Sequence, residues 1–397
     1  MGVYESLGLT PVINASGAVT RLGGAPMPKT VLDAFQEAAG DWVPLDRLQA
    51  AACKMISQVT GTESGIVTAG SAAALTLGTA AIMARMDPGK MERLPQTDGF
   101  ANEFVVAREH RNGYDHAVRA AGARFVEVGY NEITAGAGVR RVEAWEYEAA
   151  FTERTAGVFY VYLDNSAPPL EEVVKAAHRH ELPVLVDAAG ELPPRSNLML
   201  ASATGADLIA FSGGKAIRGP QSSGILCGRR DLIGSAALQM LDMDDHFELW
   251  EPPSTLFDAD QLVGAPRHGI GRAMKVSKEE IVALTAALAL FANGGYDDEI
   301  PAQLARLQSI ADKLGQGDIE FQLHESPNGE SSPILEVYVS DARNVTAVEV
   351  CRNLRKGTPP IYVSHGKLSQ GILVVHPLCM TDAGADSLAD RLLEELG

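Results

Sequence analysis

Two apolar periodicities alternate along this chain. Short β-like runs recur at 103–107 (EFVVA), 124–128 (RFVEV), 157–163 (GVFYVYL), 183–189 (PVLVDAA) and 207–213 (DLIAFSG), and their length and composition predict strands. Between them, 114–122 and 169–181 carry apolar residues at three- to four-residue spacing and predict helices. Strands that are apolar throughout, interleaved with helices, imply a mostly parallel sheet covered on both faces.

Upstream, 29–60 reads as helical with a break near Gly40–Pro44. The run GIVTAGSAAALTLGTAAIMA that follows gives a short strand, a Gly-Ser turn and an Ala-rich helix from about Ser71. Residues 11–25, rich in glycine and small side chains, read as a loop-like arm. The longest helical pattern is 273–293: Met274, Ile281, Leu284, Leu288 and Phe291 recur on one face, and Gly294-Gly295 stops it. Beyond it, 332–340, 346–355, 360–364 and 371–377 read as an α+β unit. No internal repeat or low-complexity tract appears. The expected fold class is therefore α/β in three parts. These are an N-terminal arm at 1–28, a large domain at 29–272, and a linking helix with a smaller α+β C-terminal domain at 273–397.

Charge narrows the partners. Lys plus Arg is 33 and Asp plus Glu is 51, a net charge of −18 whose field repels polyanions. Nucleic-acid binding needs a basic face and is not expected. A local pocket for one phosphate stays compatible with that field. No basic stretch followed by an apolar run opens the chain, and no run approaches about 20 apolar residues. A cytoplasmic protein with neither signal peptide nor membrane span is expected. Gly2 with Ser6 fits a myristoylation pattern, but so short a match arises by chance. Cys53, Cys227, Cys351 and Cys379 lie far apart with no CxxC or paired histidine, so reduced thiols and no metal site are expected.

Four stretches offer chemistry. In TAGSAAALTLG (68–78) a Gly-Ser turn opens a helix, and the free amides at Gly70, Ser71 and Ala72 suit a phosphate. The same pattern serves as an ordinary helix cap. In PVLVDAAGELPP, Asp187 stands at the carboxyl end of an apolar strand, where open parallel sheets bind ligands. Such a carboxylate pairs with a protonated ring nitrogen or simply caps the next turn. In DLIAFSGGKAIRGPQSSG a strand ends at Ser212, and glycine-flanked Lys215 follows. A lysine there forms a Schiff base if its amine is kept partly neutral, and is otherwise solvated. In VVAREHRNGYDHA, His110 offers a flat ring to a planar cofactor, and Arg108 and Arg111 offer charge to an anion or to a solvated loop.

Taken in order, these residues resemble fold-type I pyridoxal 5'-phosphate (PLP) enzymes, the aspartate-aminotransferase-like class. More narrowly, the chain resembles the selenocysteine-synthase-like group, whose members include an ammonia-lyase of a sugar-derived amino acid. The likeness rests on VINASGAVTRLGG, VTAGSAAALTLGTAA, HRNGYDHAVRAAGARFVEVG, PVLVDAAGELPP, FSGGKAIRGPQSSGILCGR and IGRAMKVSKEEIVAL, spread over most of 10–290. It implies that 29–272 binds PLP, with Lys215 as Schiff-base lysine and Asp187 at the pyridine nitrogen. It places His110 against the ring and Gly70, Ser71, Ala72 and Ser212 around the phosphate. Family sites are built from two subunits, which implies a homo-oligomer of at least a dimer.

Two departures bear on substrate. Bacterial selenocysteine synthase carries a tRNA-gripping domain ahead of the arm, whereas the arm here begins almost at residue 10, so neither that domain nor a tRNA substrate is expected. After the Pro-Pro-Ile strand, where a basic residue for the substrate acid is expected, stand Ser364, His365, Gly366 and Lys367. His365 or Lys367 is the candidate substitute, with Arg21, Arg108, Arg111, Arg267 and Arg272 as further site candidates. The resemblance implies a lyase: an α,β-elimination on a hydroxylated or sugar-derived amino acid that yields a 2-oxo acid and ammonia. A racemase, an aminotransferase, a β-replacement enzyme and a non-catalytic relative are the alternatives. Retention of both Lys215 and Asp187 speaks against the last.

Overall fold

The computed structural model describes residues 2–130, 141–241, 246–264, 266–326 and 329–397. It divides into two compact units, Met27–Ala292, and Met1–Pro26 together with Asn293–Gly397.

In the larger unit a seven-stranded sheet runs in the order Ser64–Thr68, Gly224–Gly228, Leu208–Ser212, Val184–Asp187, Thr155–Val161, Glu103–Ala107, Arg124–Val128. Gly224–Gly228 is antiparallel to both neighbours, and every other pairing is parallel. The expected mostly parallel sheet is therefore present. The strands near its centre are buried almost along their whole length, and apolar up to Asp187 and Ser212 at their carboxyl ends, because helices cover both faces.

Helix Ser71–Ala84 lies flat on this sheet and is buried from Ala73 to its end. Its small residues allow the close approach. A side chain on Gly78 would put its Cβ 2.9 Å from Leu185 Cδ1 and 3.4 Å from Leu208 Cδ1 and Leu226 Cδ1. Those leucines belong to one core cluster with Phe104, Phe159 and Ala210. The long helical pattern resolves into a 3-10 turn, Ile270–Met274, and a helix, Lys278–Ala292. That helix buries Ile281, Leu284, Leu288 and Phe291. It packs on helices Lys29–Ala39 and Leu45–Thr60. These contacts group it with the larger unit, whereas the sequence pattern assigns it to the smaller one.

In the smaller unit, Ile372–Val375, Ile334–Tyr338 and Phe321–His324 form an antiparallel sheet in that order. The arm, expected to be loop-like, contains a strand: Ile13–Ala15 pairs in parallel with Ile361–Val363. Three residues are too few to show alternation, and the partner lies near the other end of the chain. Helices Ile300–Gln316, Ala347–Lys356 and Asp382–Leu396 complete the unit. Ala347–Lys356 opens with a capping box, in which Thr346 Oγ1 accepts from the Glu349 amide and Glu349 Oε2 accepts from the Thr346 amide.

Among the described residues no helix is long and apolar enough to cross a membrane, and no cluster of potential metal ligands occurs. Cys53, Cys227, Cys351 and Cys379 are free, the first three buried. Leu185 is fully buried between sheet and helix. Leu185→Ala is expected to cost about 2–5 kcal/mol in urea unfolding, the range for a cavity left by a core leucine.

Candidate active site

The parallel strands deliver their carboxyl ends to one edge of the sheet, the usual ligand edge of such folds. Register puts Thr68 and Ser212 on either side of Gly224 there. Gly70 has φ +87° and is the N-cap of Ser71–Ala84, with no side-chain cap. The first-turn amides of that helix have no acceptor inside it and sit at its positive dipole end. Gly224 closes against this turn so tightly that a Cβ would lie 2.4 Å from Gly70 C and 2.6 Å from the Ser71 nitrogen. A glycine is thus required at the start of that strand.

Asp187 ends its strand only 7% exposed. Its Oδ1 accepts from the Ala189 amide at 3.0 Å. Burial raises its pKa, opposed by that amide and by the charge of Lys215. Lys215 stands in the turn that follows Leu208–Ser212. Gly213 and Gly214 shape that turn. A Cβ on Gly213 would fall 2.3 Å from Ser223 Oγ, and one on Gly214 would fall 2.5 Å from Gln221 Cα. The turn is closed by Gly213 N donating to Ser223 O and Gly219 N donating to Gly213 O, both at 2.9 Å. Among the described residues the Lys215 amine makes no hydrogen bond or ion pair.

His110 closes the short turn after Glu103–Ala107 and is 3% exposed. Its ring meets Tyr160 edge-on at 4.5 Å. Among the described residues neither ring nitrogen has a hydrogen-bond partner. Burial therefore pulls its pKa from 6.5 to about 4, with Glu109 opposing and Arg141 adding to the shift.

The candidate arginines divide. Arg108 Nε donates to Glu127 Oε2 at 3.1 Å, and Arg111 binds Asp115 and Glu127. Both belong to an ion-pair network on the sheet's edge, the solvated-loop alternative. Arg267 presents its backbone amide to Glu92 Oε1 at 3.1 Å. Arg272 and Lys275 line a cavity of about 190 Å³ with Gln49, Met240 and Ile281. Ala265, within the Gly264–Arg272 run, lies outside the described residues. In the smaller unit, Arg21 Nη2 is 3.1 Å from His365 Nδ1, and its guanidinium lies 5.9 Å from the Tyr362 ring centre. Arg21 has no carboxylate partner among the described residues. Lys367 does: it is bound to the buried Glu336. Of the two candidate substitutes, His365 is therefore the one left beside a free cation.

Residues 105–244 match the family model described as Aminotransferase class-V. A 5'-C-glycyluridine monooxygenase-decarboxylase from Streptomyces sp is 29% identical across 99% of this chain and 92% of its own. A D-glucosaminate-6-phosphate ammonia lyase from Salmonella typhimurium is 28% identical across 99% and 97%. A solved structure of a D-glucosaminate-6-phosphate ammonia-lyase matches all of this chain and 98% of its own with a TM-score of 0.81 at 28% identity. An L-seryl-tRNA(Sec) selenium transferase from Geotalea daltonii is 26% identical across 58% of this chain and 52% of its own. The chain is similar to the selenocysteine-synthase-like group and has the fold of fold-type I PLP enzymes.

For a PLP enzyme of this group the edge has a fitting set of groups. There are free helix-start amides for a phosphate, a buried carboxylate for a ring nitrogen, an unengaged lysine amine for an aldehyde, and a buried imidazole with both nitrogens unpartnered. Three neighbours escaped the sequence reading. Tyr160 and Gly224 announce themselves only through contacts. Glu191 stands inside the quoted DAAGELPP run, but only the turn that follows Asp187 gives it significance.

Because the native state holds His110 neutral, the unfolded chain binds more protons between about pH 4 and pH 6.5. Stability should rise with pH across that window by up to about 3 kcal/mol and be lost as pH falls through it. His110→Phe should flatten this part of a urea-unfolding series. An unchanged slope would assign the titration to another group.

Proposed function

We propose that this PLP enzyme is a lyase. It removes the α-proton and β-hydroxyl of a hydroxylated or sugar-derived amino acid and releases a 2-oxo acid and ammonia. The end-to-end likeness to an ammonia lyase carries this reading. Lys215, on its rigid glycine turn, is the residue that holds the cofactor and afterwards takes the α-proton, since its amine has no competing partner. Asp187 keeps a proton on the pyridine nitrogen, and its burial strengthens that pairing. His110 would offer the cofactor ring a neutral, flat surface. The amides of Gly70, Ser71 and Ala72, with the Ser212 hydroxyl, take the phosphate. When bound, PLP withdraws electron density from the substrate α-carbon and makes its proton removable.

Arg21 with His365 is the proposed clamp for the substrate's acid group, because Arg108 and Arg111 are engaged with carboxylates. Arg272 is proposed as a further substrate contact. The working form is proposed to be a homo-oligomer of at least two copies. Val3, Tyr4, Leu7 and Leu9 expose 58–71% of their surface, an apolar patch that a second copy would cover.

The Streptomyces relative matches with similar coverage under a different name, so product analysis decides between the reactions. Purified protein should absorb near about 420 nm, and borohydride should trap the cofactor on Lys215. Lys215→Ala should lose both signals and lower ammonia release from D-glucosaminate and other β-hydroxy amino acids by roughly a thousandfold or more. Oxygen uptake with carbon dioxide release, and no ammonia, would favour the second reaction. For Arg21→Ala, KM should rise about tenfold or more with kcat less affected, as expected when binding common to ground and transition states is removed.

A further inference from the structure

Immediately after Asp187 the backbone turns, with Glu191 N donating to Ala188 O at 3.2 Å. Asn197 Nδ2 donates to Glu191 O at 2.7 Å and pins the far end. The turn passes beside the lysine: a Cβ on Gly190 would lie 3.9 Å from Lys215 Nζ. Glu191 is held by its backbone alone. Its half-buried carboxyl makes no hydrogen bond or ion pair among the described residues. The charges that face it are Asp164, Asp187 and Lys215, with the phenol of Tyr162 nearby. Burial, Asp164 and Asp187 raise its pKa above the usual glutamate range, and Lys215 opposes them. A carboxyl that holds its proton more tightly than an ordinary glutamate thus stands on the turn that passes the Lys215 amine, a pairing suited to divided acid and base roles.

Elimination of a β-hydroxyl needs such an acid, because hydroxide is a poor leaving group. His110 does not serve, since burial strips its proton until about pH 4. We propose that Glu191 is the general acid of the elimination, giving its proton to the β-hydroxyl oxygen while Lys215 takes the α-proton. The Cα–H pair becomes the Cα–Cβ double bond, and the Cβ–O pair leaves with the oxygen. That oxygen departs as water with the Glu191 proton. Hydrolysis of the resulting enamine consumes one water and releases ammonia and the 2-oxo acid. Solvent then reprotonates Glu191 and takes the α-proton from Lys215. This role rests on the lyase reading.

The test uses PLP-loaded wild type, Glu191→Gln and Glu191→Asp. The probes are D-glucosaminate, D- and L-serine and D- and L-β-chloroalanine, with α-proton exchange in deuterium oxide followed by NMR beside ammonia release. In Glu191→Gln, ammonia release from the hydroxy substrate should fall about 100-fold or more. Exchange should persist, and β-chloroalanine, whose chloride needs no proton, should still react. Glu191→Asp should recover part of the loss. In unloaded protein, the carboxyl resonance assigned by loss in Glu191→Gln should titrate above the ordinary glutamate value. An ordinary titration, or unchanged release from the hydroxy substrate in Glu191→Gln, would overturn the role. Loss of exchange together with release would reduce Glu191 to a structural residue and also overturn it. A wild type that exchanges the α-proton but eliminates neither hydroxyl nor chloride would sink the lyase reading and this role with it. Chloride elimination without hydroxyl elimination in wild type would overturn the role alone.

Discussion

Asp187 is a carboxylate held almost out of water at the rim of a parallel sheet, with one backbone amide and the field of a lysine to offset the loss of hydration. Burying a lone charge is costly, and a fold that keeps one supplies a cation to meet it. The arrangement around Asp187 answers that demand. Lys215 is brought near it by a turn whose glycines touch backbone where side chains would collide. The same crowding, at Gly224, presses an antiparallel strand against the start of a helix, with the strand before Lys215 between it and the strand of Asp187. Chemistry and packing are inseparable at this edge, because the functional groups are where they are only while the glycines remain bare.

Much of this was visible in the sequence because each element lies within one continuous run. The helix starting at Ser71, the strand ending at Asp187 and the strand ending before Lys215 all declare themselves by local periodicity. Parts assembled from distant segments were not visible. Gly224–Gly228 is five residues with glycine at both ends, and only its two neighbours make it a strand. The arm strand is similarly mute without Ile361–Val363. Charge is legible in sequence, but its partner is not. Arg108 and Arg111 looked available until Glu127, on the adjacent strand, was placed against them, and Lys367 until Glu336 was. Arg21 shows the converse, a cation in an arm of small residues that finds a histidine in place of an acid.

A chain with net charge −18 has carboxylates to spare, and among the described residues at least eight arginines of the larger unit meet one. Against that background, the groups without partners carry information. Among the described residues Lys215, His110 and Glu191 are such groups, all beyond the carboxyl ends of parallel strands of one sheet. Each departs from the usual rule that buried or half-buried polar groups are satisfied within the protein. Three such departures on one edge of the sheet are what supports the proposal of a ligand site there.

The strand Ile13–Ala15 pairs with Ile361–Val363, and this affects how the protein is made. During synthesis the contiguous stretch Met27–Ala292 has its full set of strands long before the chain is finished. The arm emerges before that stretch but has no ladder to join until residues 361–363 leave the ribosome. Domains generally fold as units as they emerge, so a segment translated ahead of the larger unit settles after it. Its apolar residues stay uncovered while the whole of that unit is made, and a chaperone that shields nascent chain has a long opportunity here.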